Sequence, residues 1–470
     1  MNRYLGSAVL VLAGLIVSGC VAEPTNRANS NANVAASPTV TVTVSPTPVS
    51  SEKASSTQAL TLPVLDAFLS NESSSGLLKS RLQLTDEQIA QLKQAAHAET
   101  AKLNEANAGA SPGGTANART AAKEEIATLI GAEKEQQLEA LIAEQWSKDN
   151  DSASDKAATQ AVSNDSKVPN QVPGDSRIVV NAPAYRMDVF ESGRLIKSYK
   201  IGIGYPQFPL PTGLRKARTI IFNPTWTPPD EPWVAKMKDI SAGEKVEAGS
   251  KLNPLGPIKI PIGGPSLIHG GKSPAKLGTF ASHGCVGLTT PQVQDFAKVL
   301  AQLGGAHLTD ADIAAYARDK TETKQVKLVN PIPVELRYET IVVEDGELHI
   351  YRDVYDQDAN TEENLRAVLE ANGVRLEDLS EDERAQVMNA LAQMAGAGSA
   401  RPTPVAKKSA RVDKSATASP SEAKSTATKP RPRAGKNQKE IVIEIAALKG
   451  KGYPAPVELD TGTGSKKRKA

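Results

Sequence analysis

Apolar side chains change their spacing several times along this 470-residue chain, and each change divides it. A first run, Ala8 to Val17, follows a positive start at Arg3 and ends at Val17-Ser18-Gly19-Cys20. It is too short for a bilayer core, which takes about 20 apolar residues, so it predicts a signal peptide over 1–19 rather than an anchor helix. From 20 to 58 the chain is Ser, Thr, Ala, Asn, Val and Pro with almost no large apolar side chains, a composition that predicts a tether. Over 59–146 helical spacing takes over: Leu82, Leu84, Ile89 and Leu92 in one stretch, Ile126, Leu129, Ile130, Leu138, Leu141, Ile142 and Trp146 in another. Thr85-Asp86-Glu87-Gln88 fits a capping box at a helix start, and a Gly/Pro/Ala/Ser break near 108–116 separates the stretches. The pattern predicts a small helical hairpin, with His97 as a surface residue, followed by a second Ser/Asp/Asn/Ala-rich linker over 147–175.

From Arg177 the period becomes two. Ile178, Val180, Met187, Val189, Leu195, Tyr199 and Ile201 fall in short runs separated by Asn181-Ala182-Pro183 and Glu191-Ser192-Gly193-Arg194, as hairpins require. Further strand candidates lie at Thr219 to Phe222 and Ile258 to Ile262, each beside a proline-stiffened loop. Many short strands and few helices predict a mainly β, sandwich- or barrel-like domain over 176–356. Pro291 to Leu303 reads as a helix packed behind it, 308–324 as another helical stretch, and 357–396 as a small helical pair with a capping box at Ser380-Glu381-Asp382-Glu383. The last segment, 397–470, is disordered by composition and broken only by a short apolar run, Ile441 to Leu448.

Charge alters the picture at one end only. The formal net charge is +2, yet 401–470 holds 17 Lys and Arg against 6 Asp and Glu, or +11, which leaves the first 400 residues at −9. Basic character belongs to the tail, which suits a solvated segment or one attracted to anionic polymer or lipid head groups. With Cys20 and Cys285 as the only cysteines there is no disulfide framework.

The candidate chemistry gathers at Ile268-His269-Gly270 and Ser282-His283-Gly284-Cys285. A cysteine is a nucleophile only as thiolate, so it needs an imidazole to take its proton and backbone amides to hold an oxyanion. His269 ends an apolar strand that fixes its position, which makes it the better base. The Gly284 and Cys285 amides are candidate oxyanion donors, and His283 either supplies a further donor or packs.

Two family resemblances attach to these residues. Small residues before Cys20 resemble the lipobox of bacterial lipoproteins, which implies a lipid on the mature Cys20 thiol, membrane attachment, a location in the cell envelope facing the periplasm or extracytoplasmic space, and no nucleic-acid partner. An ordinary signal peptide with a chance cysteine is the alternative. His269-Gly270, Gly278 and Ser282-His283-Gly284-Cys285-Val286 resemble the signature of L,D-transpeptidases with a YkuD catalytic domain, and the likeness extends over roughly Arg177 to Val354. It includes Pro211-Thr212-Gly213, the Asn223 to Pro229 run with Trp226, Asn253-Pro254-Leu255-Gly256, and a closing hairpin around Glu344-Asp345-Gly346. The resemblance implies that Cys285 attacks the diaminopimelate carbonyl of a peptidoglycan stem tetrapeptide, releases D-alanine and passes the acyl group to another stem as a 3-3 cross-link. It implies His269 as base, oriented by the Gly270 carbonyl, with Ser282, His283 and Gly284 in support and no cofactor. One position departs: the family carries an arginine two residues after the cysteine, where this chain has Gly287, so a cation must come from Lys272 or Lys276 or be absent.

Other readings of the same residues stand beside this one. A hydrolytic relative such as an L,D-carboxypeptidase would use the same thiol with water as acceptor. His269, His283 and Cys285 suit zinc as three ligands. Cys285 as a buried apolar residue would leave an inactive cell-wall binding lipoprotein. Trp226 and Trp233 each fit a substrate cleft or a core or loop anchor. The sequence carries no indication of oligomeric state.

Overall fold

The computed structural model describes residues 59–103, 114–148, 168–395 and 438–462. The expectations for the signal peptide, Cys20 and the tether lie outside these residues, as does most of the linker.

The first described region is helical: α1 (Leu62–Leu69), α2 (Glu72–Leu82), α3 (Asp86–Thr100), α4 (Gly114–Ile130) and α5 (Ala132–Lys148). Val64, Leu65, Leu78, Leu92, Ile126 and Leu138 meet in one fully buried cluster. The expected hairpin is thus corrected to five helices around a shared core. Thr61 and Asn71 cap α1 and α2, Gln83 (φ 53°) ends α2 in the left-handed conformation, and Gly131 (φ 89°) separates α4 from α5. Thr85 and Gln88 form the predicted capping box. The Ser-rich run Ser73-Ser74-Ser75-Gly76 is helical: the Ser74 hydroxyl donates to the Phe68 carbonyl at 2.6 Å and buried Leu78 draws the segment into the core. Among the described residues no helix is long and apolar enough to cross a membrane.

The β-rich region forms one eight-stranded mixed sheet. Its strands are β1 (Arg177–Asn181), β2 (Arg186–Glu191), β3 (Arg194–Lys200), β5 (Gly213–Phe222), β6 (Ile258–Pro261), β7 (Leu267–His269), β9 (Val286–Gly287) and β10 (Lys324–Arg337), in the order β3-β2-β1-β10-β5-β6-β7-β9. A parallel pair, β4 (Ile203–Gly204) with β8 (Phe280–Ser282), lies beside it. The helix read at 291–303 is α7 (Thr290–Leu303), begun by a Thr289–Gln292 capping box; two short helices, α6 (Pro232–Ala235) and α8 (Asp310–Arg318), sit in the loops. Ile178, Val180, Ile220, Ile260, Ile268 and Val286 of the sheet close over Val293, Phe296 and Leu300 of α7. The mainly β domain therefore takes the form of a half-barrel curled round one helix.

The closing hairpin is present, but its place in the fold corrects two boundaries. β11 (Ile341–Glu344) and β12 (Glu347–Tyr351) turn through Asp345 (φ 47°) and Gly346 (φ 86°), as a two-residue hairpin with both residues left-handed requires. They pair with a third strand, β13 (Glu440–Glu444), not with the main sheet. Leu348, Ile350 and Ile443 bury against Leu365, Leu369, Val387 and Leu391 of α9 (Glu362–Ala371) and α10 (Glu381–Met394). The hairpin thus shares its core with the helical pair rather than ending the catalytic domain at 356. The expected structureless tail is likewise corrected over 438–462. Beyond β13 the Ser198 amide donates to the Val457 carbonyl at 3.0 Å, and Lys200 donates to Asp460 at 2.9 Å, so this segment lines the edge strand β3. Five apolar residues among seventy of low complexity give little sequence signal, and β12 is distant in the chain.

Candidate active site

β7 and β9 run parallel, with Ile268 opposite Val286 and His269 opposite Gly287. Ile268 and Val286 are fully buried in the core, so strand alternation turns His269, Gly287 and, one residue before β9, Cys285 to the other face. Strands about 4.8 Å apart, with a rise of about 3.3 Å per residue, set the His269 and Cys285 Cα atoms roughly 8 Å apart, a gap that an imidazole and a thiol can span.

His269 is 3% exposed, and its Nδ1 lies 2.8 Å from the Gly270 carbonyl. The only hydrogen-bonding role open to Nδ1 there is donor, which leaves the Nε2 lone pair free to take a proton. Burial, aided by the Lys272 charge, lowers the imidazole to about 3, against the opposing pull of the Gly270 and Leu255 backbone. Gly270 has no room for a side chain: a Cβ would lie 2.6 Å from Val293 Cγ1 of α7. Cys285 is half-buried, and burial pushes its thiol up, opposed by the Leu267 backbone and Lys272. At rest the proton therefore sits on sulfur, which lies 3.9 Å from the Pro265 carbonyl and 4.0 Å from the His283 carbonyl, and the imidazole is neutral.

The intervening turn is held by Ser282, whose Oγ donates to the Cys285 carbonyl at 2.6 Å and accepts from the Cys285 amide at 3.1 Å. That amide, expected as an oxyanion donor, is engaged within the turn, and this corrects the expectation for it. Gly284 needs its positive φ of 78° and its lack of a side chain, since the Phe208 ring lies 2.8 Å from where a Cβ would stand. His283 stacks on Trp233 (centroids 4.8 Å apart, 16° between planes), with Tyr205 and Phe208 edge-on. Burial, then Lys272, lowers its imidazole to about 4, and its Nε2 is buried without a hydrogen-bond partner among the described residues.

Trp226 stacks on Trp233 at 5.8 Å, so the structure brings it to the same aromatic wall. Trp233, weighed with Trp226 as cleft or anchor, joins it there; sequence reasoning missed Tyr205 and Phe208 as members of that wall, since nothing in their local spacing points at His283. It also missed buried Glu231, which accepts from Trp233 Nε1 at 2.6 Å and is raised by burial to about 7. Phe208 is itself part of the helical cluster, and Lys93 of α3 pairs with Asp230 at 2.6 Å, so the helical region braces the wall from behind. His97, expected on the surface without a partner, instead lies 3.2 Å from buried Asp66.

Gly287 and Lys272 fit together. A Cβ at 287 would fall 2.9 Å from Lys272 Cγ and 3.0 Å from Cε, so the lysine stem lies across the glycine, and its ammonium donates to the Ala281 carbonyl at 2.7 Å. Among the described residues no group of three or more His, Cys, Asp or Glu is placed to hold a metal ion.

A thiol and a neutral, carbonyl-oriented imidazole presented on one face of a curled mixed sheet are the parts that cysteine acyl transfer uses. The comparison is more particular: residues 175–324 match the family model described as the YkuD L,D-transpeptidase catalytic domain. Among solved structures, the NMR structure of the catalytic domain of E. faecium L,D-transpeptidase aligns at 17% identity, covering 36% of this chain and 100% of that one, with a TM-score of 0.22. An L,D-transpeptidase from Mycobacterium smegmatis aligns at 16% identity, over 35% of this chain and 58% of that one, with a TM-score of 0.20. The Ldtfm-avibactam carbamoyl enzyme aligns at 15% identity with a TM-score of 0.22, covering 35% of this chain and about half, 49%, of its own length. At such scores these likenesses carry no weight beyond the family match. No curated protein matches the chain.

Proposed function

We propose that the protein is a cysteine-dependent L,D-transpeptidase of peptidoglycan, attached to the envelope through a lipid on Cys20. Cys285 attacks the diaminopimelate carbonyl of a stem tetrapeptide, giving its proton to His269 Nε2 as the carbon–sulfur bond forms. Collapse of the tetrahedral intermediate breaks the bond to D-alanine, whose nitrogen takes the proton back. An amine of a second stem then displaces the thiolate, forming a 3-3 cross-link and restoring Cys285. The observation that carries this reading is the 2.8 Å bond between His269 Nδ1 and the Gly270 carbonyl, which leaves Nε2 as proton acceptor on the face shared with Cys285. Burial keeps the imidazole uncharged before the attack, ready to accept the proton.

The test is incubation of the protein with a stem tetrapeptide, with D-alanine and products followed by mass spectrometry. Cross-linked product from the wild type and none from Cys285→Ala supports transpeptidation. Tripeptide without cross-linked product would assign water as the acceptor and the protein as a carboxypeptidase.

A further inference from the structure

Lys272 is tied to the catalytic strands at both ends. Its amide donates to the Leu288 carbonyl at 3.0 Å, while the Leu288 amide donates to the His269 carbonyl at 2.8 Å, so the backbone at 272 is fixed next to β7 and β9. From there the stem crosses Gly287, the residue registered opposite His269, and the ammonium reaches the carbonyl of Ala281, at the head of the turn that leads to Cys285. Any side chain at 287 would compete for the space of the stem. The glycine and the lysine are thus one device, which places a positive charge on the face where sulfur must become negative.

We propose that Lys272 is a charge-positioning residue of the thiol site: its ammonium, held across Gly287 by the Ala281 carbonyl, stabilises the Cys285 thiolate and disfavours a resting imidazolium on His269. This rests on the reading of Cys285 as nucleophile and His269 as base. A cation on this face favours the thiolate as it forms and keeps His269 neutral until it accepts the proton. Lys272 is the charged side chain acting on Cys285, His269 and His283 alike, in the direction the geometry requires.

The experiment is the pH profile of Cys285 alkylation by iodoacetamide, read by intact mass for the full chain, with Cys285→Ala defining background. In Lys272→Met the stem over Gly287 is retained and the charge is lost. The midpoint should rise by about one pH unit, which makes alkylation at pH 7 about tenfold slower, while the rate on the alkaline plateau stays within about twofold of wild type. Lys272→Arg should restore the wild-type midpoint. Gly287→Ala, with the lysine intact but its stem displaced, should shift the midpoint the same way by less. A Lys272→Met profile that overlays the wild type, or one lowered at every pH with no change of midpoint, would overturn the proposal. Wild-type protein that labels no faster than Cys285→Ala at any pH would instead overturn the thiol reading beneath it.

Discussion

Buried titratable residues give the molecule opposing pH dependences. His269 and His283, held near 3 and 4, stay neutral in the fold but take up protons in the unfolded chain below the ordinary imidazole value of 6.5. The unfolded state then binds more protons, so their contribution to stability is full above 6.5 and is lost as the pH falls toward 4. Glu231 runs the other way. Raised by burial from 4.5 to about 7, with Asp66 and Asp230 adding to the rise, it contributes fully below 4.5 and loses that contribution as the pH climbs through 7. Glu231→Gln keeps an acceptor for Trp233 and removes the ionisation. It should melt higher than wild type at pH 8, by on the order of 2 kcal/mol, with the gap closing by pH 5; equal melting at both pH values would contradict this assignment. His269, Cys285 and the glycines between them were legible because chemistry restricts which residue types can stand there. Glu231 was not, because its significance lies in its bond to Trp233, whose stack on His283 joins residues fifty apart in the chain.

Among elements, the joint between the helical region and the half-barrel turns on Phe208, which is 2% exposed, belongs to the helical cluster and touches Gly284. Phe208→Ala should cost about 3–5 kcal/mol, the range for deleting a buried phenylalanine, and should also loosen the Cys285 turn. Chemical denaturation together with hydrogen exchange at 282–286 would detect both effects; a stability loss with unchanged exchange would confine Phe208 to packing. The strands of the half-barrel were legible because their period-two runs are broken by turn residues, α3 and α10 because their capping boxes are local, and α7 because its apolar residues recur at helical spacing. Helix α2 escaped notice because its Ser-rich start is held helical by tertiary burial of Leu78, which no local pattern encodes. The hairpin β11–β12 was readable as a hairpin, but its sheet depends on β13, whose pairing is long-range.

For the whole molecule, the segment up to Gly462 closes two sheet edges, through β13 on β12 and through Asp460 on β3. Truncation after residue 437 should lower the melting temperature and promote association through the exposed edges. Unchanged melting and association after that truncation would contradict this. Envelope attachment is a separate matter of chemistry: Cys20→Ala should move the protein from the membrane fraction to the soluble one and remove the lipid mass from its N-terminal peptide.

The central claim is that an acyl group passes through Cys285. It is tested most directly by the intact mass of the protein after exposure to stem tetrapeptide without an acceptor amine. The wild type should gain one tripeptide acyl group on Cys285 as one D-alanine is released, and Cys285→Ala should do neither. D-Alanine release that persists in Cys285→Ala, or an adduct on any other residue, would contradict it.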